Sequence, residues 1–374
     1  MRNKLLCILT ALRHFGFLVL LLGTSAAPAL DLTGITNSHD PSTLVRDGDT
    51  YFHFTTGNGI WYSRSTNLVH WDNPADIFGS SWPAWINAAV PGFAGHFWAP
   101  DALQMGDYYY VYYSVSTFGS SRSAIGVVRT PSLKTPNWQD LGMVVQSFGG
   151  QDEINAIDAA LFRDHDGKVY MSYGSWFGGL GVAEIDQNTG KLASAVTKIY
   201  GGGHQSIEAP YISRQGNYYY LYFTRGLCCR GADSTYQVQV ARASNVLGPY
   251  SGERNLLPNQ DGKRKGPGHV GVLKQDGCQY VSTHYYDLND GGNAKLDLLK
   301  MSFSSGWPSL SRNFSVASCG GVSEGTYRIK ARHSGKYLSL DNASTANGAL
   351  VEQYTLSTAL HQQWQLISLG DGSY

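Results

Sequence analysis

Between residues 31 and 315 the hydrophobic positions fall in short dense runs separated by glycine-bearing turns, and the three-to-four-residue spacing of an amphipathic helix is almost absent. One pattern recurs five times: "HDPSTLVRDGDTYFHFTT", "APDALQMGDYYYVYYSV", "IDAALFRDHDGKVYMSYGS", "IEAPYISRQGNYYYLYFTR" and "GHVGVLKQDGCQYVSTHYY". Each copy opens near an ionisable residue, runs through a short apolar strand, turns at a glycine such as Gly48 or Gly167, and returns as an aromatic-rich strand. That is the signature of a β-hairpin. Further strand-like runs such as "AIGVVRT" and "YQVQVARA" follow, so each unit supplies about four strands.

The leading residues Asp40, Asp101, Asp158, Glu208 and His269 are 61, 57, 50 and 61 positions apart. Such intervals suit propeller blades once loops are inserted between strands. The chain is therefore predicted to be all-β, a five-bladed β-propeller over residues 31 to about 315, with a two-sheet sandwich as the alternative. In a propeller the first strand of every blade lines the central channel. The five leading side chains are thus expected to converge on one end of one axis.

Composition adds a compartment. The 374 residues, 42% hydrophobic and 13% aromatic, suffice for one large domain and a small one. Arg2, Lys4 and Arg13 precede the apolar run "FGFLVLLLG" and the small-residue stretch "TSAAPA", which reads as a secretory signal over 1–29, cleaved after Ala29. The run falls well short of the roughly 20 residues a membrane span needs. Without the three basic residues of that leader, 25 basic groups face 28 acidic ones, a net charge of −3 that speaks against nucleic acid or an anionic membrane as partner. Cys228, Cys229, Cys278 and Cys319 remain and allow three disulfide connectivities, while the adjacency of Cys228 and Cys229 also allows a vicinal ring. No C-x-x-C metal pattern is present.

Carboxylates gathered at one place repel one another, and a cation, a shared proton or a substrate must offset that cost. Metal binding and acid–base catalysis are the two chemistries that fit. Glycoside hydrolysis needs one carboxyl kept protonated for the leaving oxygen and another kept ionised as base or nucleophile, and a third carboxylate nearby raises the acid's pKa. Trp98, Trp176 and Phe177 add flat apolar faces for a sugar ring, with Trp98 three positions ahead of a blade start.

In this order and spacing, "HDPS", "FWAPD", "NAIDAALF", "SIEAPYI", "CCRGADSTY" and "GPGHVG" resemble glycoside hydrolase family 43, most closely its arabinanases. The resemblance covers essentially all of 31–315. It implies a five-bladed propeller hydrolase that inverts the anomeric carbon. Asp40 would be the general base, Glu208 the general acid, and Asp158 the residue that orients the acid and tunes its pKa. His269 would sit near a calcium or similar ion in the channel, through water, and no organic cofactor is implied. Asp101 is read as structural or substrate-orienting, and Asn155 and Ser175 join Trp98, Asp101, Trp176 and Phe177 as substrate-binding residues.

The domains read from the sequence are a leader at 1–29, a catalytic propeller at 30–318, and a linker with a partial ricin-type lectin repeat at 319–374. The last rests on "SGKYL" and the Q-x-W ending "HQQWQL", which resemble one repeat of a ricin-type β-trefoil. "EGTY" at 324–327 recurs as "DGSY" at 371–374, so a second repeat is expected to begin there. Where the lectin pattern often places a sugar-binding Asp, this chain has Ser339, and the acid falls at Asp341. The expected protein is a secreted, monomeric endo-acting hydrolase of α-1,5-linked L-arabinan or an arabinoxylan-type plant cell-wall polysaccharide. Its alternatives are an α-L-arabinofuranosidase or β-xylosidase on the same propeller, and a propeller that binds polysaccharide without cutting it.

Overall fold

The structure is a computed structural model that describes residues 30–275, 277–316, 325–331 and 333–366. The proposed leader, Cys319 and the "DGSY" stretch lie outside them. Five sheets of five strands follow one another along the chain as the blades of a β-propeller, with their main strands over residues 45–76, 96–148, 160–200, 204–257 and 264–311, and with Gly57–Asn58, Ser175–Phe177 and Gln260–Asp261 adding a fifth strand to blades 2, 4 and 5. The first blade completes itself with Thr33–Gly34, which runs parallel to His70–Asp76. The segment just before Asp40 also reaches the last blade, where Leu296 N–H donates to Thr36 O at 2.8 Å and Ser38 N–H to Ala294 O at 3.1 Å. The N-terminal strand region thereby closes the ring. One six-residue helix, Ala84–Ala89, is the only α-helix among the described residues, and no helix there is long and apolar enough to cross a membrane.

Each blade packs both its faces against neighbours, which is why strands such as Tyr108–Val115 and Tyr218–Arg225 read as nearly unbroken apolar runs. The core is accordingly five wedges, one between each pair of adjacent blades, from Phe54, Phe97 and Tyr113 between blades 1 and 2 to Trp71, Tyr280 and Phe314 between blades 5 and 1. Many of the tyrosines are wedge residues with a carbonyl partner, as where Tyr112 Oη donates to Gly190 O at 2.8 Å.

The channel ends of the first strands carry a feature that the repeat pattern only half shows. Asp40, Ala99, Asp158, Ala209 and His269 all have φ between 43° and 61°, the left-handed region that non-glycine residues seldom occupy. Their spacings of 59, 59, 51 and 60 mark the true register of the blades. Asp101 therefore lies two residues past the leading position of blade 2, and Glu208 one residue before that of blade 4. Bulges between Trp98 and Asp101, Glu208 and Tyr211, and Gly268 and Gly271 accompany these kinks.

A second recurring position holds them. Thr56, Ser114, Thr224 and His284 lie in the last residues of the second strands of blades 1, 2, 4 and 5 or just after them, and each accepts the N–H of the next blade's leading residue. Ala99 N–H donates to Thr56 Oγ1 at 2.8 Å, Asp158 N–H to Ser114 Oγ at 3.0 Å, His269 N–H to Thr224 Oγ1 at 3.5 Å, and Asp40 N–H to His284 Nδ1 at 3.1 Å. Blade 3 departs from the rule. Its counterpart, Ser175, turns instead to Glu208, and the Asp158 carboxylate takes the Ala209 N–H at 3.1 Å.

The C-terminal piece pairs Gly325–Tyr327 with Trp364–Leu366 and Tyr337–Leu340 with Val351–Tyr354. The Q-x-W motif is its clamp. Gln362 bonds the backbone of Ser357 and Thr355, both at 2.8 Å, and Trp364 Nε1 donates to Leu338 O at 3.1 Å.

Candidate active site

A cavity of about 830 Å³ opens at the channel mouth and is lined by Asp40, Asp158, Glu208, His269, Trp98, Asn155, Ser175, Trp176 and Phe177. Asp40 and His269, 229 positions apart in sequence, thus meet, as the converging first strands require. Asp101 is not among them. Its two oxygens accept the backbone N–H groups of Thr43 at 2.7 Å and Leu161 at 2.6 Å, stapling blade 2 to blades 1 and 3 beneath the cavity floor. Its substrate contact is corrected to a structural one, because both oxygens are spent and the side chain is buried. Ser175 reaches the cavity, yet its hydroxyl donates to Glu208 Oε2 at 2.7 Å; it serves the acid before it serves a sugar.

The three carboxyls stand in different surroundings. Burial alone would push Asp40 up, but His39, whose Nδ1 lies 2.8 Å from Oδ2, together with His269 and His284, holds it well below the usual carboxylate range. Thr56 Oγ1 adds a bond to Oδ2 at 2.7 Å. Glu208 is raised, first by burial and also by the charge of Asp40, while hydroxyl bonds from Ser175 and Tyr236 pull the other way. Asp158 is pushed well above the ordinary range by burial and by the charges of Glu208 and Asp40. The site therefore separates one carboxyl kept ionised from a buried pair disposed to hold protons, the division that acid–base cleavage asks for.

Aromatic faces border the acids. Trp176 and Phe177 stand with ring centroids 5.3 and 4.9 Å from that of His204, and Trp98 lies on the wall of the same cavity. Asn155 is buried beside them. The sequence reading passed over His39, Tyr236, Tyr286 and His204 as site residues, while the vicinal ring it allowed between Cys228 and Cys229 is the disulfide present, on the cavity wall. His39 stands beside Asp40 in "HDPS" and Tyr236 ends "CCRGADSTY", so both lay inside motifs already singled out.

Calcium takes six to eight oxygen ligands. Around His269 the side chains offer mostly nitrogen: His269 Nδ1 is 3.9 Å and His284 Nδ1 3.5 Å from Asp40 Oδ1, and His39, Asp40 and His284 form a group of donor atoms within 4.8 Å of one another. That set fits an ion that keeps its own water shell, and does not fit a calcium caged by protein oxygens.

Comparison with known proteins follows the same lines. The profile described as glycosyl hydrolases family 43 matches residues 34–308, and that of the ricin-type beta-trefoil lectin domain-like family matches 312–374. An extracellular exo-α-(1→5)-L-arabinofuranosidase of Cellvibrio japonicus is 38% identical over 299 residues, 73% of this chain and 86% of the relative. An extracellular endo-α-(1→5)-L-arabinanase of Bacillus subtilis is 34% identical over 319 residues, 79% of this chain and 96% of the relative. The structure of Cellvibrio cellulosa α-L-arabinanase complexed with arabinohexaose superposes with a TM-score of 0.69 at 35% identity, covering 74% of this chain and 95% of that one.

Proposed function

This chain belongs to glycosyl hydrolase family 43 and is an arabinan-degrading glycoside hydrolase, and from that premise we propose that it is secreted and cuts α-1,5-L-arabinofuranosidic bonds within linear arabinan, with inversion. The observation that carries the mechanism is the electrostatic division of the cavity. Asp40, held ionised by its imidazoles, takes a proton from the attacking water. Glu208, raised by burial, gives its proton to the glycosidic oxygen as the bond to the anomeric carbon breaks. Asp158 grips the N–H of Ala209, the residue next to the acid, and so fixes the backbone from which Glu208 projects. The reading of the protein as a binder without turnover gives way to an enzyme.

Glu208→Gln tests the assignment. Hydrolysis of linear arabinan should fall about 10³-fold, and hydrolysis of an aryl arabinoside with a good leaving group by about tenfold, since little protonation is needed there. Equal losses on both would remove Glu208 from the acid role. Product sizes separate endo from exo action: a ladder of short oligosaccharides supports the endo reading, and one fixed small product the exo reading that the Cellvibrio japonicus relative's name favours. Proton NMR of the first-formed anomer tests inversion.

The extracellular names of both relatives support export. An ion held through water at His269 would add positive charge beside Asp40. Dialysis against EDTA should then lower Tm and added calcium restore it; an unchanged Tm and unchanged turnover would dismiss the ion.

A further inference from the structure

Residues 226–235 leave the second strand of blade 4 and return to its third as a loop on the cavity wall. The loop's neck is tied twice, with Thr235 N–H donating to Leu227 O at 2.9 Å and Leu227 N–H to Thr235 Oγ1 at 2.9 Å. A Cβ on Gly226 would stand 2.4 Å from the Thr235 carbonyl oxygen, so only glycine allows this closure. Beyond the neck, Cys228 and Cys229 are joined as neighbours in one disulfide, with Cys229 at φ 63°. A ring across two consecutive residues leaves that peptide little freedom to turn. The further side of the loop meets blade 5, where a Cβ on Gly292 would come within 2.5 Å of Ala232 N.

From this ring a single file of hydrogen bonds leads to the carboxylate read as the base. Cys229 N–H donates to the Tyr286 phenol oxygen at 2.8 Å. Tyr286 Oη is 2.8 Å from His39 Nε2, and His39 Nδ1 is 2.8 Å from Asp40 Oδ2. An ionised carboxylate only accepts, so His39 Nδ1 carries a proton towards Asp40. When His39 is neutral its Nε2 accepts the Tyr286 O–H, and when it is charged Nε2 donates to the phenol oxygen, so the contact holds in both states. The phenol oxygen is left with lone pairs for the one partner that can only donate, the Cys229 amide. The His39 ring is held flat from below by His284, with centroids 4.4 Å apart and planes 20° from parallel, and the same His284 accepts the Asp40 N–H.

We propose that the Cys228–Cys229 ring is a positioning element for the general base: by fixing the Cys229 amide it fixes Tyr286, the ring of His39 and the orientation of Asp40. The idea rests on Asp40 being the base. It makes Tyr286 and His39 positioning residues for the attacking water, although neither needs to touch the sugar. A loop on one blade is thereby coupled to the leading residue of the blade across the ring closure.

Three variants test it on linear arabinan and soluble arabino-oligosaccharides. Cys228→Ser with Cys229→Ser should lower kcat about tenfold with KM within about twofold, Tyr286→Phe should do the same, and the combination should lose no more than either alone. Losses that multiply, a rise in KM at constant kcat, or no loss at all would each overturn the proposal; a KM effect would make the ring a wall for substrate instead. Should the serine variant not fold, the folded wild type is reduced with TCEP, and peptide mapping verifies thiols at Cys228 and Cys229. Wild-type kcat should then fall while that of Tyr286→Phe does not, and thiol release with kcat intact would refute the idea. Asp40→Asn is measured beside them: if it keeps the wild-type rate, the base assignment fails, whereas failure of the relay alone leaves the Asp40→Asn loss in place.

Discussion

Glu208 accepts bonds from two hydroxyls, Ser175 on Oε2 and Tyr236 on Oε1, and both favour its ionised form against the burial that raises it. Tyr236→Phe removes one of these. The pKa of Glu208 then rises, and because the acid works protonated, the basic limb of the kcat profile should move to higher pH by about one unit. A stronger grip on the proton also makes a poorer donor, so kcat on arabinan falls while aryl substrates with good leaving groups feel it less. A profile shifted downward, or an equal loss on both substrates, would contradict this balance. Tyr236 ends the motif "CCRGADSTY", but nothing in the sequence ties that one of 24 tyrosines to the acid; only its place at the end of the loop beside the acid does. Asp40, Asp158 and Glu208 were legible because acids at blade starts recur, whereas a hydroxyl on a carboxylate is a fact of three dimensions.

Among elements, the unit that repeats is a kinked first strand whose leading N–H is caught by the blade before it. The residues that catch it were visible as the endings "FTT", "YYS", "YGS", "FTR" and "STH" of the return strands, but their meaning needed the ring. Aligning the copies on charged side chains also misplaced two registers, since Asp101 and Glu208 stand off the kinked position while uncharged Ala99 and Ala209 occupy it. Backbone conformation sets the register there, and alanine gives no sign of it. The exception in blade 3 yields a paired test. Ser114→Ala strands the buried Asp158 N–H and should cost about 1–3 kcal/mol, lowering Tm by a few degrees. Ser175→Ala leaves the Ala209 N–H on Asp158, so Tm should hardly move while the basic limb rises, because a bond to ionised Glu208 is lost. If the two variants shift Tm alike, Ser175 has not left the structural role for the catalytic one.

In the whole molecule, five apolar wedges hold the blades, and the wedge that closes the ring borrows from beyond the last blade strand. Phe314 is buried among Leu68, Trp71, Tyr280 and Leu298. Arg312 grips buried Asp297 with Nε at 2.8 Å and Nη2 at 2.6 Å, and its carbonyl receives the N–H of Leu30 at 2.8 Å. The blade pattern in the sequence faded near 315, close to this edge, because Phe314 continues the apolar register of the wedge and the lectin-like motifs begin only later. Packing therefore carries the propeller past residue 308, where the hydrolase profile stops. A chain ended after 316 should keep its Tm within a few degrees and its kcat on soluble arabino-oligosaccharides, since the cavity is lined from His39 to Tyr286 alone. One ended after 308 exposes the wedge and leaves buried Asp297 with Arg264 alone, its Nε 3.7 Å away; losing a buried aromatic costs about 3–5 kcal/mol and the weakened ion pair adds to it, enough to lower Tm by about 10 °C. Equal melting of the two chains would mean that blade 5 closes on blade 1 without this strap, and that the N-terminal strand region alone holds the ring shut.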